Sequence, residues 1–400
     1  MKKGIIFGNC QSVAIREMLK VKTVGIDWID FPRVDEISKK DVERLHQEIK
    51  EADYIFLQRV NDEYRNSLGV GTNTLTKLAN VQVFTFPSIY WNGYNPELCY
   101  FKNLDGSTIP GFYGYHNKVI YYCYMMGATV EETLSFLNSQ DAILEIDDIS
   151  LSFETLRERE GTLDVKVSDY IERNYKERRL FHTINHPDNA LLEYVCDELM
   201  LKANIKAKVH NLNPSKEYLG FTRYPILPAV NRALKLNFKD GQGYLIKDEK
   251  IDSENLVRRF FDFYNNNREI LSFNKKRIKV KPANQVRDCA ILLGSRLNLE
   301  LVQCKGHCKV YFENFSKNFH IEIIPRAIDN YEIALHIEGV GEEEKYKAIV
   351  GMVAAINNAQ AIYGQNQLSA KIFSNNLNEC AKVITDLHKS SKTLLEMVMK

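Results

Sequence analysis

The chain opens Met1-Lys2-Lys3-Gly4-Ile5-Ile6-Phe7-Gly8-Asn9-Cys10-Gln11. An apolar run ends there in glycine and polar residues. The next apolar positions, Val13, Ile15, Met18 and Leu19, recur at helical spacing over residues 11–20. A short continuous apolar run reads as a buried strand, and a helix directly behind it reads as the start of a crossover unit. The pattern repeats twice. Residues 41–50 read as a helix before the strand 53–58, and residues 72–79 as a helix before the strand 81–86, which Pro87 stops. Strands separated by helices predict an α/β fold, a parallel sheet with flanking helices, in which ligands sit at the carboxyl ends of the strands. That rim gathers Cys10, Gln58, Arg59, Pro87 and Ser88.

Further along, residues 88–117 are rich in aromatics, Gly and Asn and read as a substrate-lining loop. Helices are expected over 118–139, 166–179 and 188–202, the last opened by Asp188 with Pro187 just outside. An acidic run over 141–164 reads as a solvated helical face, and residues 203–237 read as irregular. Lys239-Asp240-Gly241-Gln242-Gly243 reads as a linker or tight turn, dividing a first domain, 1–237, from a smaller α+β domain, 244–400. In the second, alternating segments at 308–313, 319–324 and 331–338 predict an antiparallel sheet, with helices at 342–364 and 376–398.

The 400 residues carry 53 Lys and Arg against 52 Asp and Glu, a formal charge of +1. That balance argues against a general polyanion binder, although residues 268–287 hold seven Lys or Arg against Glu269 alone. No nucleic-acid partner is expected. There is no apolar run long enough for a transmembrane helix and no signal-peptide core behind Lys2-Lys3, so the cytoplasm is the expected location. Eight scattered Cys read as reduced thiols.

Three places carry candidate chemistry. Gly8-Asn9-Cys10-Gln11 joins a strand to a helix, where first-turn N–H groups make an anion site and lower the pKa of a thiol. This is the layout of a nucleophile or an oxyanion site, and a small buried Cys in a βα turn is the other reading. It is neither a dinucleotide fingerprint nor a P-loop. His182 and His186 flank a turn, and His186, fixed from behind by Pro187, is the better placed general base. Cys304-Lys305-Gly306-His307-Cys308 resembles half a zinc site, but no second pair follows and no metal is expected.

Taken in order, these motifs resemble the WcbI-type polysaccharide-biosynthesis family of acetyltransferases. The features are Gly8-Asn9-Cys10-Gln11, the strand closed by Gln58-Arg59-Val60 with Asp62, Tyr64 and Arg65 after it, the Pro87–Pro96 loop, and His186-Pro187 opening a helix. The resemblance covers about residues 1–235. It implies an α/β fold related to the SGNH/GDSL hydrolases, with Cys10 where those enzymes have serine. It also implies coenzyme A or acetyl-CoA as co-substrate, and acyl transfer to a sugar of a capsular or other surface polysaccharide. Carried over, Cys10 is the reactive thiol and His186 the base, with Asn9, Gln11 and Gln58 as pocket polar groups and Asn92 in an oxyanion role. Gly8, Arg59 and Arg65 fall to the coenzyme, with Arg178 and Arg179 as further cations for its pyrophosphate. Two alternatives stand beside it: a Cys/His thioesterase or esterase, and a non-catalytic module binding coenzyme A or a glycan. A homo-oligomer is also open.

Overall fold

A computed structural model describes residues 1–103, 105–109, 114–139, 149–208, 216–241, 243–274, 282–297, 301–311, 319–327, 330–337, 360–363, 368–374 and 380–385. The chain divides into two units, Met1–Leu98 with Leu144–Asp252, and Cys99–Ile143 with Ser253–Lys400.

The first unit is built on four parallel strands: β1 (Lys2–Phe7), β2 (Ile26–Trp28), β3 (Tyr54–Gln58) and β4 (Val83–Phe86). Their order is β2-β1-β3-β4. Helices α1 (Cys10–Lys22), α2 (Lys39–Glu51) and α3 (Thr72–Leu78) connect them in turn. Every residue from Ile5 to Phe7 and from Ile55 to Leu57 is buried, as a sheet covered on both faces requires. Ile5, Phe7, Ile55 and Leu57 pack with Val42, Leu45 and Ile49 of α2 and Leu75 of α3 in one core. On β1–β4, Trp28, Phe56 and Phe84 form a row of rings, with centroids 5.3 and 6.2 Å apart. A Cβ on Gly4 would stand 2.6 Å from the Trp28 ring, so the row fixes that glycine. The chain leaves β1 toward β2 and returns past it to β3. The strand order therefore reverses at β1, and a crevice opens at the carboxyl ends of β1 and β3.

β2 has only three residues, too few to show a period, and the sequence gives no sign of it. The structure corrects other expectations. Residues 203–237 contain a strand, Thr222–Arg223, and a helix, Pro228–Leu234, with proline in its first turn where the missing N–H costs nothing. Tyr244–Ile246 pairs with Thr222–Arg223 and with Glu249–Ile251, so residues 244–252 belong to the first unit and the glycines before them are not an interdomain linker. In the acidic run, residues 141–148 lie outside the described residues. Glu160 is buried and accepts from the N–H groups of Val167 and Ser168, so this part of the run is structural.

Residues 99–143, read from sequence as part of the first domain, fall in the second unit. There Lys118–Met126 and Val130–Asn138 replace one expected helix. Gly127, at φ 74°, ends the first and Thr129 caps the second in a capping box with Glu132. The expected strands are present as His307–Tyr311, Phe319–Ala327 and Asn330–Ile337 in a six-stranded antiparallel sheet. Gln360–Tyr363 is a strand of that sheet, not the end of a helix, and residues 342–359 lie outside the described residues. Of the helix expected over 376–398, residues 380–385 are helical and the rest lies outside the described residues. Cys304 and His307 face each other across a hairpin whose turn uses Gly306 at φ 87°. No helix among the described residues is long and apolar enough to cross a membrane.

Candidate active site

Asn9 caps α1, its Oδ1 accepting from the Gln11 N–H at 2.9 Å. Cys10 is thereby the first helical residue, at the carboxyl end of β1. A Cβ on Gly8 would lie 2.5 Å from the Gln58 side chain, so the turn depends on glycine there for space. Gln58 uses that proximity: its Oε1 accepts from the Asn9 N–H at 2.8 Å and its Nε2 donates to Gln11 Oε1 at 2.8 Å. Gln11 is fully buried. Its Oε1 also accepts from the Ile89 N–H at 3.0 Å, and its Nε2 donates to the carbonyls of Ile89 at 2.7 Å and Asn185 at 2.8 Å. One amide thus ties the end of β1 to the segment after β4 and to the residue before His186.

A cleft of about 450 Å³ opens on this rim, lined among others by Asn9, Cys10, Gln58, Arg59, Asn185 and His186. Cys10 and His186, distant in sequence, share it. Arg33 lies in it as well, because the Val34 N–H donates to the Gly8 carbonyl at 2.9 Å and lays residues 31–36 along the end of β1. Arg33 holds Asp35 at 2.9 Å and Glu36 at 2.5 Å. The sequence reading missed it; Phe31-Pro32 after an unrecognised strand was the available sign. A second cleft of about 500 Å³ shares Cys10 and Arg33 with the first, and its other walls include Val13, Phe31, Pro32, Leu219 and Phe221. A third, also about 500 Å³, shares Arg59 and Ser88 with the first and adds Arg159.

Burial pushes the Cys10 thiol above its ordinary pKa and Asp35 adds to this. Arg33 and the N–H groups of Cys10 and Gln11 pull it down by less. The helix terminus alone predicted a lowered value; desolvation outweighs it. The imidazole of His186 is driven to about 4 chiefly by burial, with Arg33 nearby adding to it, so it is neutral at pH 7. Phe221 packs on it with centroids 5.0 Å apart. His182 lies outside the cleft lining and sits 3.1 Å from Glu217.

Other expected residues lie elsewhere. Asn92 is outside the cleft linings, its Oδ1 accepting from Ser152 Oγ at 2.8 Å, while Asn61 and Asn185 line the first cleft beside Asn9. Arg65 donates to the Val34 carbonyl at 3.1 Å and does not line the cleft. Arg178 pairs with Asp188, and Arg179 with Asp240 and the Phe181 carbonyl. Among the described residues of the aromatic loop, Trp91 and Tyr94 are core residues and line none of the three clefts. Trp91 and Tyr94 are each 1% exposed and pack against Phe181, and the Tyr94 hydroxyl donates to the carbonyls of Tyr175 and Arg178. Only Ser88 of its first residues reaches the first cleft. Among the described residues no group of three or more His, Cys, Asp or Glu is placed to hold a metal ion.

Residues 3–208 match a family described as polysaccharide biosynthesis enzyme WcbI. A solved structure of WcbI, described as a novel polysaccharide biosynthesis enzyme in native form without a disulfide bond between coenzyme A and one of its cysteines, is similar to 68% of this chain. The likeness covers 97% of that protein, at 22% identity and a TM-score of 0.57, and shows the fold. No curated protein matches.

Proposed function

Because the chain belongs to the WcbI family of polysaccharide biosynthesis enzymes, we propose that it transfers an acyl group, acetyl in the simplest case, from coenzyme A to a sugar hydroxyl. The observation that carries this reading is the shared cleft of Cys10 and His186 at the carboxyl ends of β1 and β3, continued past Cys10 into an apolar cleft. The apolar walls of Val13, Phe31, Pro32 and Leu219 suit the pantetheine arm of a coenzyme, and the same lining carries Arg16, Arg33 and Lys216 against Glu17, Glu36 and Glu217. Arg33, beside the thiol, takes the place in this reading that the resemblance assigned to Arg59 and Arg65. Asn9, Asn61, Tyr64 and Asn185 offer the amides and the phenol that sugar hydroxyls pair with.

His186, neutral at pH 7, accepts the proton of the sugar hydroxyl as its oxygen bonds to the thioester carbon. The C–S bond breaks, and His186 returns the proton to the departing sulfur. The N–H of Cys10 and the side-chain amide of Asn9, both at the cleft, would donate to the negative charge that develops on the carbonyl oxygen, while the Gln11 N–H is held by the Asn9 cap. Cys10, protonated at pH 7, positions the thioester, and direct transfer needs no thiolate from it. In this reading the fold is an SGNH relative with a thiol in the serine position, working in the cytoplasm where acyl-CoA is made.

The test is incubation with acetyl-CoA and a panel of sugars, followed by mass spectrometry of both products. Transfer is expected, with His186→Ala losing at least ~100-fold in rate. Release of acetate with no acylated sugar from any acceptor would replace transfer by thioester hydrolysis. Absence of coenzyme A binding would remove both.

A further inference from the structure

The second cleft meets the first at Cys10 and Arg33, whereas the third meets it at Arg59 and Ser88. Its shared wall is Arg59 and Ser88, directly behind β3 and β4, and its far wall carries Arg159. Arg159 belongs to the helix Ile149–Glu160, which the sequence reads as a solvated acidic face. Both guanidinium groups are exposed, and neither lies within ion-pair distance of a carboxylate among the described residues. The other arginine of that turn, Arg157, is paired with Glu172.

The end of this helix is held firmly. Asp164, just beyond it, accepts from the Thr85 N–H and hydroxyl at 2.7 Å each, and the Val165 N–H donates to the Thr85 carbonyl at 3.0 Å. Glu160, next to Arg159, is buried and accepts from the Val167 N–H at 2.8 Å. Arg159 thus projects from a backbone clasped to β4, with its guanidinium 5.3 Å from the Tyr90 ring, a contact that orients the group while leaving its N–H donors open. Glu158 also lines the cleft, so two cations face one carboxylate.

We propose that Arg59 and Arg159 form a subsite for an anionic group, phosphate or carboxylate, carried by the acceptor sugar about one ring away from the hydroxyl that is acylated. This rests on the transfer reading for its placement: the acceptor must lie in the first cleft to reach the thioester beside Cys10, and a substituent on the opposite edge of its ring then meets Arg59. Paired guanidinium groups favour planar or tetrahedral oxyanions over a neutral hydroxyl. The acceptor class is therefore an acidic or phosphorylated sugar.

Isothermal titration calorimetry with glucose, glucose 1-phosphate, glucuronate and coenzyme A tests it. At least one of the two anionic sugars is expected to bind about tenfold or more tightly than glucose, and Arg59→Gln and Arg159→Gln each remove most of that advantage. Coenzyme A affinity is expected to stay the same in Arg159→Gln. No preference for either anionic sugar, or a preference surviving both substitutions, overturns the subsite. Weakened coenzyme A binding with sugar binding intact hands the site to the coenzyme and overturns it equally. If coenzyme A fails to bind the unmodified protein while the anionic preference holds, the transfer reading falls and the anion subsite stands.

Discussion

Gln11 offers the sharpest test of how the candidate site is built. Replacing it by methionine keeps the length of the side chain and removes the amide. The Ile89 N–H and the Gln58 Nε2 then lose their acceptor, and the carbonyls of Ile89 and Asn185 lose their donor. A buried donor left without a partner costs about 1–3 kcal/mol, so two of them cost about 2–6 kcal/mol. Gln58 retains the Pro87 carbonyl at 3.4 Å, which lowers its share, and the apolar methionine returns about 1 kcal/mol by burial. The expected net loss is about 3 kcal/mol. It should appear as a lower urea midpoint for the first unit and as faster hydrogen exchange at the Ile89 amide, read by mass spectrometry or NMR. With two units in one chain, a single global transition is not assumed, and the local exchange rate is the decisive reading. A change below about 0.5 kcal/mol with Ile89 exchange unaltered would refute the idea that this amide rivets three segments together.

Two other predictions concern titration. His116 is fully buried, stacked on Phe101 with centroids 4.0 Å apart, and burial lowers its pKa from 6.5 to about 4. The fold favours the neutral ring, so its stability is intact above pH 6.5 and falls as pH drops toward 4, by up to about 3 kcal/mol. His116→Phe should flatten the fall in melting temperature between pH 7 and pH 5, and an unchanged slope would show that the ring is already protonated or solvated in the fold. The raised pKa of Cys10 predicts slow alkylation by iodoacetamide at pH 7, accelerating above pH 9; peptide mapping that finds Cys10 modified faster than free cysteine at pH 7 would contradict the dominance of burial.

The parallel sheet was legible because three of its four strands are apolar runs punctuated by Gly8, Gln58 and Pro87. The rim position of Cys10 followed from that order alone, and the pairing with His186 came from the resemblance. Gln11 and Gln58 were recognised as important, but a sequence cannot distinguish an amide aimed at a ligand from one consumed by backbone. Three segments must fold together before Gln11 has any partners. Arg33 and Arg159 were missed for a related reason, since each is brought to the rim by a backbone hydrogen bond from a neighbour, Val34 to Gly8 and Val165 to Thr85. Trp91 and Tyr94 of the aromatic loop are core rather than substrate-lining because they pack on residues of much later segments, among them Phe153, Tyr175 and Phe181.

The division of the chain also governs the order in which it can mature during synthesis. Residues 99–143 leave the ribosome early, yet the Tyr121 hydroxyl donates to the Leu271 carbonyl, the Tyr122 hydroxyl to Asp288, and the ring of His116 lies against Phe260, Phe263 and Tyr264. Those partners emerge more than a hundred residues later. Until then the helix bearing Tyr121, Tyr122 and Met126 lacks these partners of its own unit. A fragment ending at residue 252 would make that exposure permanent. It would contain every residue of the three clefts and still be expected to aggregate, so loss of activity on C-terminal truncation is not evidence that residues 253–400 take part in the chemistry.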